Sequence, residues 1–196
     1  MLIPKTRPKL SRSALLAAID RFELDRQKHP IVIVGVRGYY RDTMGKPGVN
    51  DRALYDDAIF IDAPEAFGSF NANTVPTQYR AGRGTREGEK GMATLKPGLW
   101  LAHRIGKHKK QYPALIQTGG PVTVSRDGTP PYDHTGYHGI NIHCGGSRTT
   151  SSLGCQTLPP AQWTAFISCV VDQSRRCFGA KWNQTTIPYI LLEGLA

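Results

Sequence analysis

The most reactive side chains of this sequence are concentrated in one segment, residues 132–157. It holds three of the six histidines and two of the four cysteines. Within it, Gly139-Ile-Asn-Ile-His143 alternates as a strand does, and a loop rich in Gly, Ser and Thr follows. The loop returns the chain to Ser152-Leu-Gly-Cys155. This layout predicts that His143 and Cys155 lie side by side.

A histidine beside a cysteine can support nucleophilic attack on an amide carbonyl. The attacking species is the thiolate, so the thiol needs a base or an imidazolium nearby, and the resulting oxyanion needs hydrogen-bond donors. His143 meets the first requirement. The amides of residues 153–155 could meet the second, because Gly154 allows close backbone approach. The same spacing is compatible with an inert cysteine, since free cysteines often pack as small apolar side chains.

Several motifs, in order along the chain, resemble the L,D-transpeptidases, or YkuD-like enzymes. The family signature is a strand ending in Ile-His-Gly, then a loop, then Ser-(His)-Gly-Cys. It is matched here by Ile142-His-Cys-Gly-Gly146 and by Ser152-Leu-Gly-Cys155. Upstream, Asn71-Ala-Asn-Thr74 and Leu95-Lys-Pro-Gly-Leu-Trp100 are similar to the family's strand before its threaded loop and to its Pro-Gly turn. The resemblance covers about half of the chain, roughly residues 56–158.

The sequence departs from the family pattern in three places. His143 and Cys155 are twelve positions apart, which is shorter than usual and implies a trimmed loop over the site. Leu153 replaces the usual histidine, and Gln156-Thr157 replaces the common Ile-Arg or Leu-Asn. These departures affect the choice of substrate and acceptor more than the nucleophile. Overall the chain resembles a divergent branch of the kind found in bacteriophage and prophage genomes.

The resemblance implies a peptidoglycan enzyme that needs no cofactor and no metal ion. Cys155, activated by His143, would attack a stem-peptide carbonyl and form an acyl-enzyme, with amides near Gly154 and Cys155 holding the oxyanion. A backbone carbonyl or Ser152 would orient the imidazole. Transfer of the acyl group to water gives the cleavage expected of an endolysin or L,D-carboxypeptidase, whereas transfer to an amine gives a crosslink. The expected partner is bacterial peptidoglycan, bound by a monomer.

Other residues of the segment are expected to bind the substrate. Arg148, in the loop between His143 and Cys155, could bind a stem-peptide carboxylate bidentately. Tyr137 could stack on a sugar ring. The remaining residues expected to line the substrate site are His138, Gly145 and Gly146. Structural alternatives remain open, among them a solvated loop arginine, a core aromatic and a histidine that bonds loop backbone.

Two other functions are compatible with the sequence. The first is a zinc-dependent peptidoglycan hydrolase whose ligands come from the cluster His134, His138 and His143. Glycines at positions 136 and 139 disfavour the helix that would align the first two. The second is a non-catalytic basic protein, such as a phage structural or nucleic-acid-binding module, since Lys and Arg exceed Asp and Glu by ten. The dense basic run at 107–110 lacks interleaved aromatics, which argues against nucleic acid.

The elements predicted around the reactive segment give an α+β fold, with a β-rich, YkuD-like sheet or sandwich core and a helix at each end. Apolar residues at helical spacing predict an N-terminal helix over residues 13–26 and a C-terminal helix after Pro159-Pro160. Strands are expected at 31–36 and 187–192, with short strands between them, a hairpin around 126–128 and an exposed loop at 80–91. We expect one domain, with a helical extension at residues 1–30 and a catalytic part at 31–196.

Composition and termini limit the setting in which the protein works. Apolar residues make up 39% of the chain and charged residues 20%, as in a globular protein. The N-terminal residues lack the apolar region of a signal peptide, and no stretch is long enough for a membrane span. Four cysteines without a CxxC pair suggest reduced thiols. We therefore expect synthesis in the cytoplasm and action at the cell wall, with a separate release factor if the gene belongs to a phage.

Overall fold

Apolar, β-branched runs separated by turn residues form eleven strands, and two amphipathic segments form helices. The computed structural model describes residues 2–194, so Met1 and residues 195–196, at the ends of the predicted domain ranges, lie outside it. The helices are α1 (Arg12–Asp20) and α2 (Pro160–Phe178), the second followed by a 3-10 turn at Gly179–Lys181. The strands, in chain order, are β1 (Val32–Arg37), β2 (Asp57–Ala63), β3 (Ala66–Ala72), β4 (Ala93–Leu95), β5 (Gly98–His108), β6 (Tyr112–Gln117), β7 (Val122–Arg126), β8 (Tyr132–Gly136), β9 (Ile142–Cys144), β10 (Gln156–Leu158) and β11 (Ile187–Glu193).

Eight of these strands form one large sheet in the order β10-β9-β6-β5-β11-β1-β2-β3. Only two of its pairs are parallel, β1 with β11 and β9 with β10. Just beyond β3, Asn73 bridges to Thr157 of β10, so the two outer strands of the sheet meet. The sheet is therefore nearly closed, and β9 and β10, which carry the reactive residues, lie beside this seam.

The N-terminal helix is part of the single domain. Ser11 caps α1 by accepting a hydrogen bond from the Ala14 amide at 3.1 Å. Leu15 and Ile19 are fully buried against the face of β1, β2 and β11. The helix is shorter than predicted, because the Asp25 side chain accepts hydrogen bonds from the amides of residues 27 and 28 and so favours turns over helix.

The C-terminal helix covers the seam of the large sheet. Pro160 begins α2, as the double proline predicted, and the buried face carries Trp163, Phe166 and Val170. Phe166 meets Phe70 of β3 edge to face, with 5.4 Å between ring centroids. Because α2 packs on both β3 and β9, it holds the two sides of the seam together.

A second sheet of three strands, in the order β4-β7-β8, completes the fold. Strands β7 and β8 form the predicted hairpin around residues 127–131. Val122, Val124 and Leu95 belong to the main apolar core, so the small sheet closes one side of that core. The prediction of a β-rich single domain with a helix at each end is confirmed. Within residues 2–194, no helix has the length and apolar character needed to cross a membrane.

Candidate active site around Cys155 and His143

Strands β9 and β10 bring together the segments that carry His143 and Cys155. The two strands run parallel, with His143 opposite Thr157. Cys155 lies just before β10, two residues before Thr157. The parallel pairing therefore brings Cys155 alongside the strand that carries His143. The predicted strand over residues 139–143 is shorter in the structure and begins at Ile142.

The segment before β9 does not pair as a strand, because the Gln117 side chain engages its backbone. The Gln117 carbonyl oxygen accepts hydrogen bonds from the amides of His138 and Ile140, at 3.0 and 2.9 Å. The backbone amide of Gln117 donates to Oδ1 of Asn141 at 2.9 Å. Gly139 adopts a positive φ of 67° between these contacts. The result is a fixed stretch of backbone against which Cys155 lies.

The thiol of Cys155 contacts this backbone on both sides of Ile140. Its Sγ donates to the Gly139 carbonyl oxygen at 3.2 Å and accepts from the Asn141 amide at 3.4 Å. Within the described residues the thiol makes no hydrogen bond to His143. Catalytic hydrogen bonds are often formed only when substrate binds.

The His143 ring is held in one orientation by the carbonyl of the next residue. Its Nδ1 lies 2.7 Å from the Cys144 carbonyl oxygen, and because a carbonyl only accepts, Nδ1 carries the proton. In a neutral imidazole Nε2 is then left with its lone pair. The Tyr112 hydroxyl donates to the same carbonyl at 3.3 Å. The predicted orienting group is therefore a backbone carbonyl and not Ser152.

A second histidine, which the sequence did not single out, lies directly on His143. The ring of His108 stacks on that of His143, with centroids 4.0 Å apart and planes 16° from parallel. Asn141 Nδ2 lies 3.4 Å from His108 Nδ1, and Tyr112 pairs with His108 across β5 and β6. In the sequence, His108 stands out only as part of the basic run at 107–110. His108 is 35 positions from His143, and the pairing of β5, β6 and β9 brings them together.

Burial keeps both central groups neutral. Removal from water raises the pKa of the Cys155 thiol to about 11. It lowers the pKa of His143 to about 4, and the positive charges of His108 and Lys109 act in the same direction. A resting thiolate–imidazolium pair is therefore disfavoured. A neutral imidazole is the form that can accept a proton from the thiol.

Gly154 and Ser152 shape the turn that presents Cys155. Gly154 has a φ of 141°, and a Cβ at this position would lie 2.5 Å from the Ala93 carbonyl oxygen. The buried Ser152 hydroxyl donates to the Cys155 carbonyl at 2.7 Å and accepts from the Gly154 amide at 3.0 Å. This closes a tight turn before β10. The contribution of Ser152 is to position the nucleophile.

Two amides of the predicted oxyanion site, those of Leu153 and Cys155, donate to no acceptor among residues 2–194. The Gly154 amide is engaged by Ser152. The Cys155 amide donates to no acceptor among residues 2–194, whereas the next amide, that of Gln156, donates to Asn141 in the ladder between β9 and β10. Leu153, which precedes this turn, is 73% exposed. The amides of Leu153 and Cys155 are therefore the two candidate oxyanion donors of this turn.

The loop between the two reactive residues is anchored at its base. Tyr55 donates its hydroxyl proton to the Gly146 carbonyl oxygen at 2.8 Å. A Cβ on Gly145 would lie 2.2 Å from the same hydroxyl oxygen. These two glycines, predicted to line the substrate site, therefore pack under the loop. Arg148 is exposed at its outer side, where a bound substrate could meet it.

The remaining predicted substrate residues lie on and after β8. The ring of His138 lies 4.3 Å from that of His134, and its Nε2 is 3.0 Å from the His134 carbonyl oxygen. Arg126 approaches both imidazoles, within 3.2 Å of His134. Tyr137 is 66% exposed. In the described part of the chain, no three His, Cys, Asp or Glu residues are grouped so that they could hold a metal ion, so the proposed zinc cluster is not assembled.

The other cysteines have packing positions. Cys144, next to His143, points to the opposite side of the strand and packs on the main core. Cys169 and Cys177 of α2 also pack on that core. Two clefts of about 450 and 570 Å³ are lined by the N-terminal segment and α1, without Cys155 or His143. The reactive residues therefore occupy a separate part of the surface.

Comparison with known proteins finds no match to a family model, to a curated protein or to a solved structure. The function is therefore inferred from the residues of this chain and their geometry.

Proposed function

We propose that the protein is a cysteine-nucleophile enzyme that acts on stem-peptide amide bonds of bacterial peptidoglycan through an acyl-enzyme. The observation that carries the proposal is the orientation of His143. Its Nδ1 proton is committed to the Cys144 carbonyl, its Nε2 makes no hydrogen bond among the described residues, and the pairing of β9 with β10 brings His143 alongside the segment that carries Cys155. A neutral, fixed imidazole beside a thiol is what general-base activation requires.

In the first step, Cys155 Sγ attacks the amide carbonyl carbon as its proton passes to Nε2 of His143. A C–S bond forms, and the carbonyl oxygen becomes an oxyanion that the Cys155 amide can stabilise. His143 then returns the proton to the nitrogen of the leaving amine, and the C–N bond breaks. The products of this half-reaction are a thioester on Cys155 and a free amine.

In the second step, an acceptor attacks the thioester, and its proton passes through His143 to the departing sulfur. Water as acceptor gives a carboxylic acid and therefore cleavage, whereas an amine gives a new amide and therefore a crosslink. We favour water, because a lytic protein of the phage type needs hydrolysis. Cleavage of this kind would make the enzyme an L,D-carboxypeptidase or endopeptidase.

The substrate assignment and the YkuD-like relationship belong to the same proposal. They are supported by the order of the motifs, from Asn71-Ala-Asn-Thr74 through Leu95–Trp100 to the His143 and Cys155 motifs. A net charge of +10 favours approach to anionic cell-wall polymers. The enzyme would act as a monomer at the cell wall, reached with the help of a separate release factor if a phage encodes it.

Digestion of purified peptidoglycan tests the proposal. We expect the wild-type protein to produce new muropeptides, identified by mass spectrometry, whose masses show which bond was cut or formed. Cys155→Ala should lower the rate of muropeptide release by at least about 1000-fold, and His143→Gln should lower it by a similar factor, because the two residues act as a unit. Intact-mass analysis of the wild type should reveal an acyl adduct on Cys155.

Cys169→Ala is the matched control, because it removes another partly buried free thiol, which belongs to α2 and not to the strands around His143. It should retain wild-type turnover. Turnover that survives Cys155→Ala would falsify the thiol mechanism. Loss of activity with a chelator but not with an alkylating agent would favour a metal-dependent mechanism instead.

A further inference from the structure

The turn between β5 and β6 has an unusual sequence for its backbone conformation. Lys109 and Lys110 have φ values of 48° and 61°, and the Gln111 amide donates to the His108 carbonyl at 2.9 Å. Two consecutive left-handed residues in a hairpin turn are characteristic of type I′, which favours Asn-Gly. Lysine has no conformational advantage there, so the backbone does not account for this choice of residue.

This turn lies beside the reactive residues. The two residues that flank it, His108 and Tyr112, both contact His143: His108 stacks on its ring, and the Tyr112 hydroxyl lies 3.4 Å from its Nδ1. Cys155 lies alongside the strand that carries His143. The turn therefore projects from the edge of the site, and a side chain extending from it can reach a substrate bound at Cys155.

The two lysines differ in their position along the turn. Lys109 directly follows His108, whose ring stacks on His143, and its positive charge favours the thiolate of Cys155 and lowers the pKa of His143 and His108. Lys110 is one residue farther from His108 along the turn. Both side chains are exposed, and within residues 2–194 neither forms an ion pair. Lys109 thus presents an uncompensated positive charge next to the nucleophile.

We propose that Lys109 forms an anion subsite beside Cys155 that binds a carboxylate of the substrate close to the attacked amide. The identification of that substrate as a carboxylate-bearing peptide rests on the proposed function. A single ammonium group on a flexible stem suits a carboxylate whose position varies during the reaction, since it acts as a point charge. The subsite is distinct from Arg148, which belongs to the loop before Cys155.

Alkylation of Cys155 with two reagents that differ in charge tests the subsite directly. Iodoacetate carries a carboxylate next to the reacting carbon, and iodoacetamide is its neutral analogue. In both reactions a C–S bond forms, iodide leaves, and the thiol proton is lost to solvent. Peptide-resolved mass spectrometry gives the rate at Cys155 separately from the other three cysteines. The ratio of the iodoacetate rate to the iodoacetamide rate cancels differences in thiol reactivity.

Lys109→Gln should lower this ratio about fivefold, which corresponds to the loss of one ion pair at about 4 Å in water. Lys110→Gln is the matched control, because it removes the same charge from the same turn with the same backbone conformation. Its ratio should equal that of the wild type. Raising the ionic strength should lower the wild-type ratio towards that of Lys109→Gln.

The proposed subsite would be refuted if the ratio of the iodoacetate rate to the iodoacetamide rate were unchanged in Lys109→Gln. It would also be refuted if this ratio fell equally in Lys109→Gln and Lys110→Gln. The outcome is independent of peptidoglycan digestion. A ratio that falls only in Lys109→Gln, in a protein without activity on peptidoglycan, would support the anion subsite and refute the substrate class. An unchanged ratio in a protein that digests peptidoglycan would refute the subsite alone.

Discussion

Cys155 and His143 are kept neutral by the same physical effect, which acts on them in opposite directions. Removal from water penalises the charged form of either group, so it raises the pKa of a thiol and lowers that of an imidazole. Enzymes that hold a resting thiolate use a nearby cation to overcome this penalty. Lys109 acts in that direction on Cys155, but burial has the larger effect.

Alkylation across a range of pH tests the neutral thiol. Because the thiolate is the reactive form and the pKa of Cys155 is raised to about 11, its rate with iodoacetamide should still be rising at pH 10. A free cysteine in a short peptide, as control, should approach its plateau near pH 10, since its pKa is about 8.5. A plateau for Cys155 below pH 7 would indicate a preformed thiolate–imidazolium pair and contradict the structure.

The acid limit of activity tests the state of His143. A base works only when it is unprotonated, and its pKa of about 4 leaves His143 neutral well below the usual range of histidine. We expect kcat/KM on muropeptides to persist as the pH falls to about 5 and to be lost through about 4. Circular dichroism at each pH controls for unfolding. Half-maximal activity between pH 6 and 7 would show that the imidazole is solvated.

At the scale of elements, the turn into β10 determines where the nucleophile lies. Its conformation depends on Gly154 for two reasons. A Cβ at this position would overlap with the Ala93 carbonyl oxygen of β4, and any other residue would have to adopt a φ of 141°, which L-residues rarely do. The Ser152 hydroxyl then closes the turn. Small shifts in this turn would move Sγ relative to His143, since Cys155 immediately follows it.

Gly154→Ala should therefore destabilise the fold and impair the site together. We expect a loss of at least about 2 kcal/mol in the free energy of unfolding, measured by urea denaturation, because backbone strain and a steric overlap coincide. Gly88→Ala is the matched control: its φ is also positive, at 84°, but no atom lies within 4 Å of the added Cβ. Equal losses in the two variants would mean that the contact with Ala93 is unimportant.

Elements also differed in how well the sequence predicted them. The C-terminal helix was predicted well, because its apolar positions repeat over several turns and a double proline marks its start. The strand before His143 was predicted too long. Its alternation is genuine, but the Gln117 side chain binds the backbone of residues 138 and 140, which no local pattern reveals.

At the scale of the whole molecule, a buried histidine couples stability to pH. His103 of β5 is fully buried; its Nε2 donates to the Ile140 carbonyl at 2.8 Å, and Nδ1 has no partner among the described residues. Burial lowers its pKa to about 4. Between pH 6.5 and 4 the unfolded chain binds a proton here that the folded chain does not, so this residue reduces stability as the pH falls.

His103→Gln should remove this pH dependence. The unfolding free energy of the wild type minus that of the variant, both measured by urea denaturation, should fall by about 2 kcal/mol from pH 7.5 to pH 4.5. The comparison is needed because Asp56, whose pKa burial raises to about 7, acts in the opposite direction in both proteins. A difference that does not vary with pH would mean that His103 is not protonated more readily in the unfolded chain.

The sequence by itself determined the local features of this protein: the helices, most of the strands, the positive net charge, and the two short motifs that end in His143 and Cys155. Only the tertiary structure decided which residues join that pair. His108 and Tyr112 reach it because β6 pairs with both β5 and β9, and Gln117 fixes the backbone beside the thiol. Local patterns fix the conformation of a segment, but the register between strands far apart in sequence depends on packing of the whole core.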